Sequence, residues 1–149
     1  MTICLNGWAG WALWGMLALL LAACGGKSAT TPVDPQQLEV GKAVYTAHCA
    51  ACHGSQGEGE ANWKVPDVNG VYPAPPHNGT GHTWHHADAL LLQVLREGSG
   101  VPNSKMPVYR DILSEGEMEA ALAYIKTFWG ADEVAFQRQL NEQWKEQNR

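Results

Sequence analysis

The chain has 149 residues, a formal net charge of −5 and a composition that is 45% hydrophobic. A chain of this length predicts one folded domain. The acidic balance and the lack of a basic stripe argue against a nucleic-acid-binding protein, because contacts to phosphates need clustered lysine and arginine. All charged side chains follow position 24, so the first 24 residues form an uncharged segment of their own.

Residues 1–24 predict an export signal that ends in a lipidation site. The stretch 8–23 is apolar apart from its glycines, is short for a membrane span and ends in small residues. Its last residues, LAAC, resemble a lipobox, where bacterial lipoprotein signals are cut before a cysteine, so we expect Cys24 to carry lipid. There are two alternatives: ordinary signal cleavage that leaves Cys24 as a free thiol, and a segment that stays uncleaved as a membrane anchor. The basic residues that usually begin such a signal are missing.

The next segment, residues 25–37, is rich in glycine, serine, threonine, proline and glutamine, which is typical of a flexible linker. Helical spacing begins after it and predicts a first helix over 38–52. Gly41 falls in the middle of this helix, where glycine costs about 1 kcal/mol relative to alanine. We therefore expect another helix to approach closely at Gly41. A domain over 38–130 and a helical extension over 131–149 complete the predicted organisation.

The first helix delivers the motif Cys49-Ala50-Ala51-Cys52-His53, which is the attachment pattern of c-type haem. Two thiols on one helical turn can each form a thioether to a haem vinyl group, and the histidine can offer a nitrogen to the iron. A zinc site would need a second ligand pair, and the chain has no other such cysteine pair. A redox dithiol would be expected beside a βαβ pattern, which is missing. The motif therefore predicts one covalent haem c.

Residues 54–85 predict a long loop, because their prolines and glycines break helices and central strands. A loop of this length is expected to wrap the haem. Helices are predicted over 88–97, over 114–129 with a capping box of Ser114 and Glu117, and over 133–147 as a tail that only packs on the surface. The expected buried positions are Leu91, Leu92 and Leu95 in the first of these, Met118, Ala121, Leu122, Ile125 and Trp129 in the second, and Val134, Phe136, Leu140 and Trp144 in the tail.

Met106 is the best candidate for a sixth iron ligand. It precedes Pro107 in a loop, and a thioether favours ferrous iron and raises the potential. Met118 lies on a predicted helix, where core packing is the usual role of methionine, and the other two methionines fall in the signal.

These motifs together resemble the class I cytochromes c, which are small monohaem electron carriers. The resemblance covers residues 38–129 and rests on the haem motif with Gly54 and on the residues Gly41, Tyr45, Met106, Pro107, Ala123, Tyr124 and Ile125. It implies an all-α fold with three core helices around a covalent haem, to which this chain adds a C-terminal helix.

The resemblance also implies roles for single residues. The first and last core helices should cross at Gly41, Tyr45 and Tyr124. His53 should be the proximal iron ligand and Met106 the distal one. A loop proline should accept a hydrogen bond from the proximal imidazole through its carbonyl oxygen, and Pro66 and Pro73 are both candidates.

The segment 73–86 departs from the small-cytochrome pattern, because it contains Trp84 and the histidines His77, His82, His85 and His86. One hypothesis is that Trp84 or a histidine bonds a haem propionate, since a buried ring N–H needs a partner. A second is a surface copper or zinc site. A third is that one histidine replaces Met106 as the distal ligand.

The sequence thus predicts a membrane-anchored electron carrier, not an enzyme, whose iron cycles between Fe(III) and Fe(II). Its partners would be a quinol-oxidising complex, a terminal oxidase or other cytochromes, and it would bind no nucleic acid. The lipid would hold it in the bacterial cell envelope, facing the periplasm or the outer side of the cytoplasmic membrane. The alternatives are a haem enzyme or gas sensor with a labile distal site, and a copper- or zinc-handling lipoprotein that uses the cluster His77–His86.

Overall fold

A computed structural model describes residues 33–149 of the protein, and this part of the chain contains helices and no strands. The all-α prediction is therefore confirmed. The five α-helices are α1 (Pro35–His48), α2 (Ala50–His53), α3 (Asp88–Glu97), α4 (Glu115–Ile125) and α5 (Ala131–Gln147), and short 3-10 helices cover Thr83–His85 and Lys126–Phe128. No helix in residues 33–149 has both the length and the apolar character needed to cross a membrane.

Helix α1 begins three residues earlier than the sequence predicts, because Asp34 caps it and accepts a hydrogen bond from the Gln36 N–H at 3.0 Å. The predicted single helix is interrupted at Cys49, where φ is −116°. The Cys49 N–H still donates to the Tyr45 carbonyl oxygen at 2.9 Å, so the helical hydrogen bonding of α1 extends to Cys49. The haem motif therefore follows directly on the C-terminal end of α1.

Helices α1 and α4 cross at Gly41, as the resemblance implies. A Cβ atom at Gly41 would lie 2.6 Å from the carbonyl carbon of Ala120 and 3.0 Å from the Cβ of Tyr124. Tyr45, one turn further along α1, packs against Tyr124 with ring centroids 5.5 Å apart. Only glycine permits so close a contact between the two backbones, which explains why α1 contains a poor helix former.

The core consists of two clusters of buried residues. Helix α4 contributes residues to both clusters but ends at Ile125, four residues earlier than predicted. All residues predicted to be buried here are buried, and of these Trp129 lies beyond the end of α4. The N-terminus of α4 is as predicted, since Ser114 and Glu117 form a reciprocal capping box. One cluster contains Val44, Leu95, Tyr109, Leu113, Met118 and Ala121, and the other contains Tyr45, Cys49, Ile125 and Trp129.

Helix α5 is fastened to the domain by polar contacts, which the sequence did not predict. Gln137 is only 3% exposed, and its side-chain amide donates to the carboxylate of Asp88 and to the carbonyl oxygen of His86 at 3.2 Å. Asn141 accepts from the Asp88 N–H at 2.7 Å. By contrast, the expected apolar contacts are weak, because Val134, Phe136 and Trp144 remain between 37% and 42% exposed.

Replacing Gln137 with alanine should lower the free energy of unfolding by about 1–3 kcal/mol, because the Asp88 carboxylate and the partly buried His86 carbonyl oxygen then each lose a hydrogen bond. Gln139, on the exposed side of the same helix, provides the matched control, and its replacement with alanine should change stability little. Urea unfolding followed by circular dichroism measures both. Equal stabilities of the two variants would contradict a fastening role for Gln137.

Candidate haem-binding site

The short helix α2 presents the two thiols of the haem motif at the ends of one turn. Cys49 is buried and Cys52 is exposed, and the two are not joined in a disulfide. The N–H groups of Cys52 and His53 both donate to the Cys49 carbonyl oxygen, at 3.2 and 2.9 Å, which closes the turn. Burial raises the pKa of the Cys49 thiol to about 11, with a smaller contribution from Cys52, so this thiol is protonated at neutral pH.

His53 is buried, with one ring nitrogen in a hydrogen bond and the other available to bind a metal. Its Nδ1 lies 2.8 Å from the carbonyl oxygen of Pro75. A carbonyl can only accept, so Nδ1 carries the proton and Nε2 keeps its lone pair. Burial lowers the pKa of His53, although the Pro75 contact and Glu60 act in the opposite direction. A neutral imidazole in this tautomer is what a metal requires of a histidine ligand.

The acceptor carbonyl belongs to Pro75, so the expectation of Pro66 or Pro73 is wrong. Two parts of the loop, residues 57–60 and 74–78, lie side by side through hydrogen bonds. The Glu60 N–H donates to the Ala74 carbonyl oxygen at 2.9 Å, and the His77 N–H donates to the Gly57 carbonyl oxygen at 2.8 Å. This pairing brings Pro75 to His53, and no local sequence signal distinguishes Pro75 from the other prolines.

His77 stacks directly on His53. The ring centroids are 3.9 Å apart and the planes differ by 24°. Two rings in face-to-face contact leave no room for a porphyrin between them, so His77 is not a distal ligand opposite His53. Burial, together with smaller contributions from the nearby His53 and His82, lowers the pKa of His77 to about 3, so the His77 ring is neutral.

The histidines of the loop do not converge on one point. His82 stacks on Trp63 with centroids 5.2 Å apart, and His85 packs against Trp84 with centroids 3.7 Å apart. Within residues 33–149, no group of three or more histidine, cysteine, aspartate or glutamate side chains is placed to hold a metal ion. The hypothesis of a copper or zinc site therefore gains no support from this geometry.

Two buried ring nitrogens in the same loop have no hydrogen-bond partner among the described residues. They are Nε1 of Trp84 and Nδ1 of His82. Buried polar groups in proteins are nearly always paired, so both nitrogens fit a site for a group that brings its own acceptors. The carboxylates of a haem meet this requirement. Trp84 also packs against the core cluster that contains Cys49, on the side of the domain that carries the haem motif.

Met106 lies in a loop that is tied to the haem motif by a residue that the sequence analysis missed. Met106 is half-buried against the core cluster that contains Leu95 and Tyr109. The Tyr109 hydroxyl donates to the His48 carbonyl oxygen at 2.9 Å, and its N–H donates to the Leu95 carbonyl oxygen at 2.8 Å. The sequence signal that could have predicted this contact is the position of Tyr109, three residues after Met106. Cys24, the predicted lipidation site, lies outside the described residues.

Comparison with known protein families shows to which family the chain belongs. The profile of the family described as Cytochrome c matches residues 38–129, which is more than half of the chain. The chain belongs to the cytochrome c family. It is a class I monohaem cytochrome, and the family carries one covalently bound haem c.

One relative of this cytochrome is the "Cbb3-type cytochrome c oxidase subunit FixPc" of Rhizobium leguminosarum bv. viciae. It is 29% identical over 103 residues, which cover 67% of this chain and 31% of the relative. The cytochrome thus spans about a third of the length of that relative. No solved structure matches this chain. The family and this relative support haem-based electron transfer.

Proposed function

We propose that the protein is a lipid-anchored electron carrier in which Cys49 and Cys52 form the haem thioethers and His53 and Met106 bind the iron. The haem supplies a one-electron Fe(III)/Fe(II) couple. The observation that carries the proposal is the state of His53, which is buried, neutral and held by Pro75 with its Nε2 lone pair available.

The surrounding side chains keep both ligand-bearing segments in place. Pro75 fixes the tautomer of His53, and Tyr109 fastens the loop of Met106 to the end of α1. Trp84 and His82 offer unpaired buried nitrogens to the haem carboxylates. A carrier needs ligands that stay bound in both oxidation states, and a rigid frame around His53 and Met106 meets that need.

The relative and the predicted leader support a proposal for the partners and the location of this cytochrome. The relative is named as an oxidase subunit, and by analogy we propose that this cytochrome passes electrons to or from a terminal oxidase, a quinol-oxidising complex or another cytochrome. Such contacts are small and transient. We propose that residues 1–24 direct export, that Cys24 carries lipid and that residues 25–37 tether the domain in the cell envelope.

The proposal is tested by absorption spectra of the purified haem protein, ferric and ferrous, with and without carbon monoxide. The expected result is a far-red iron–sulfur band in the ferric form and no carbon monoxide shift in the ferrous form. Loss of the band together with a ready carbon monoxide adduct would contradict it, since an open distal site belongs to a gas sensor or a haem enzyme.

Anchoring is tested by replacing Cys24 with serine in the full chain. The wild-type protein should partition into detergent after membrane extraction, whereas the variant should stay in the aqueous phase. Replacing Cys4 with serine is the control and should leave partitioning unchanged. A Cys24→Ser variant that partitions like the wild type would show that the membrane contact does not depend on lipid at this cysteine.

A further inference from the structure

The hydrogen bond from His53 to Pro75 fixes only one atom of the imidazole. The Cα of His53 is held by α2 and its Nδ1 by Pro75, but the ring can still rock about the line that joins these two points. A flat group packed against its face would stop this motion. His77 provides that group, with ring centroids 3.9 Å apart and planes within 24°.

His77 is itself held firmly from three directions. Its backbone N–H donates to the Gly57 carbonyl oxygen at 2.8 Å, and its carbonyl oxygen accepts from Nε1 of Trp129 at 2.7 Å. Its ring Nδ1 lies 3.1 Å from Oγ1 of Thr83, a threonine that is only 7% exposed. The His77 ring that contacts His53 is therefore fixed through its own side chain, through its backbone and through Trp129.

We propose that His77 is a positioning residue that sets the plane of the His53 imidazole. The proposal deepens the proposed function, on which it rests for the role of His53 as an iron ligand. The plane of an axial imidazole orients its π orbitals, and these orbitals split the iron d levels that ferric electron paramagnetic resonance reads through its g values. A fixed plane gives one narrow set of g values.

The test compares four variants of the full haem-loaded chain by ferric electron paramagnetic resonance and by thermal unfolding. His77→Leu keeps a similar volume but removes the flat ring, so the largest g value should shift and its line should broaden. His77→Phe keeps a flat ring but lacks the Nδ1 contact to Thr83, so the largest g value should return to that of the wild type, with a line about as broad as in Thr83→Val. Thr83→Val removes the partner of His77 Nδ1 and should broaden the line. His85→Leu, at an exposed histidine that does not contact His53, should leave the spectrum unchanged.

A His77→Leu variant that is less stable but keeps the wild-type g values would overturn the proposal, because His77 would then only fill space. Equal shifts in His77→Leu and His77→Phe would also overturn it. If His77→Leu does not accumulate with haem, Thr83→Val decides, and an unchanged line in that variant is the contrary result. The proposed function is judged separately, by the far-red band and carbonyl behaviour of the wild-type protein.

Discussion

Replacing Gly41 with alanine is expected to lower the free energy of unfolding by about 3 kcal/mol or more, because overpacking here meets backbone and not a side chain that can move. The added Cβ would lie 2.6 Å from the carbonyl carbon of Ala120, so α1 and α4 must separate. Because α1 carries the haem motif at its end, the yield of haem-loaded protein should fall as well. Urea unfolding and the haem-to-protein absorbance ratio measure the two effects.

Gly116 on α4 is the matched control for this experiment. A Cβ there meets nothing within 4 Å, and the position is exposed. Gly116→Ala should therefore be neutral or should stabilise by up to about 1 kcal/mol, through the better helix propensity of alanine. If both variants behaved alike, the close crossing of α1 and α4 at Gly41 would be wrong.

Replacing Met106 with leucine should have the largest functional effect, because leucine keeps the size of the side chain but has no sulfur donor. We expect the far-red band to disappear, the ferrous protein to bind carbon monoxide, and the midpoint potential to fall, since methionine ligation raises it. Spectra under carbon monoxide and a redox titration measure these changes.

Met118 provides the control for the loss of a thioether. It is 1% exposed in the core on α4, and a methionine-to-leucine change in a core costs less than about 1.5 kcal/mol. Met118→Leu should therefore keep the band and the potential of the wild type. Retention of the band in Met106→Leu would exclude Met106 as the distal ligand.

The sequence predicted those features that depend on local spacing. Helix α3 begins and ends at the predicted residues, and the capping box at Ser114 forms as expected. Of the leucines predicted to be buried on α3, Leu95 is buried, whereas Leu91 and Leu92 are only half-buried. The crossing at Gly41 was also predictable, because a glycine inside a helix needs a packing reason. Each of these features is decided by residues within a few positions of one another, or by one small residue.

The features that escaped prediction depend on contacts between distant parts of the chain. Pro75 lies beside His53 because two loop segments pair, and neither segment has a periodic pattern. His77 and Tyr109 act through a ring and a hydroxyl that reach other elements. Gln137 was overlooked because a polar residue in an amphipathic helix is normally expected to face solvent.

The hydrogen bond between Tyr109 and the His48 carbonyl oxygen has a mechanical consequence. The exposed side chains of Val101 and Val108 flank Met106 on the same loop, where an approaching protein can touch them. The 2.9 Å hydrogen bond connects that loop to His48, the residue directly before Cys49. This bond joins the loop of Met106 to the end of α1, next to the haem motif. A protein that contacted this loop would therefore meet a preformed surface, and little of the contact energy would be spent on reshaping it.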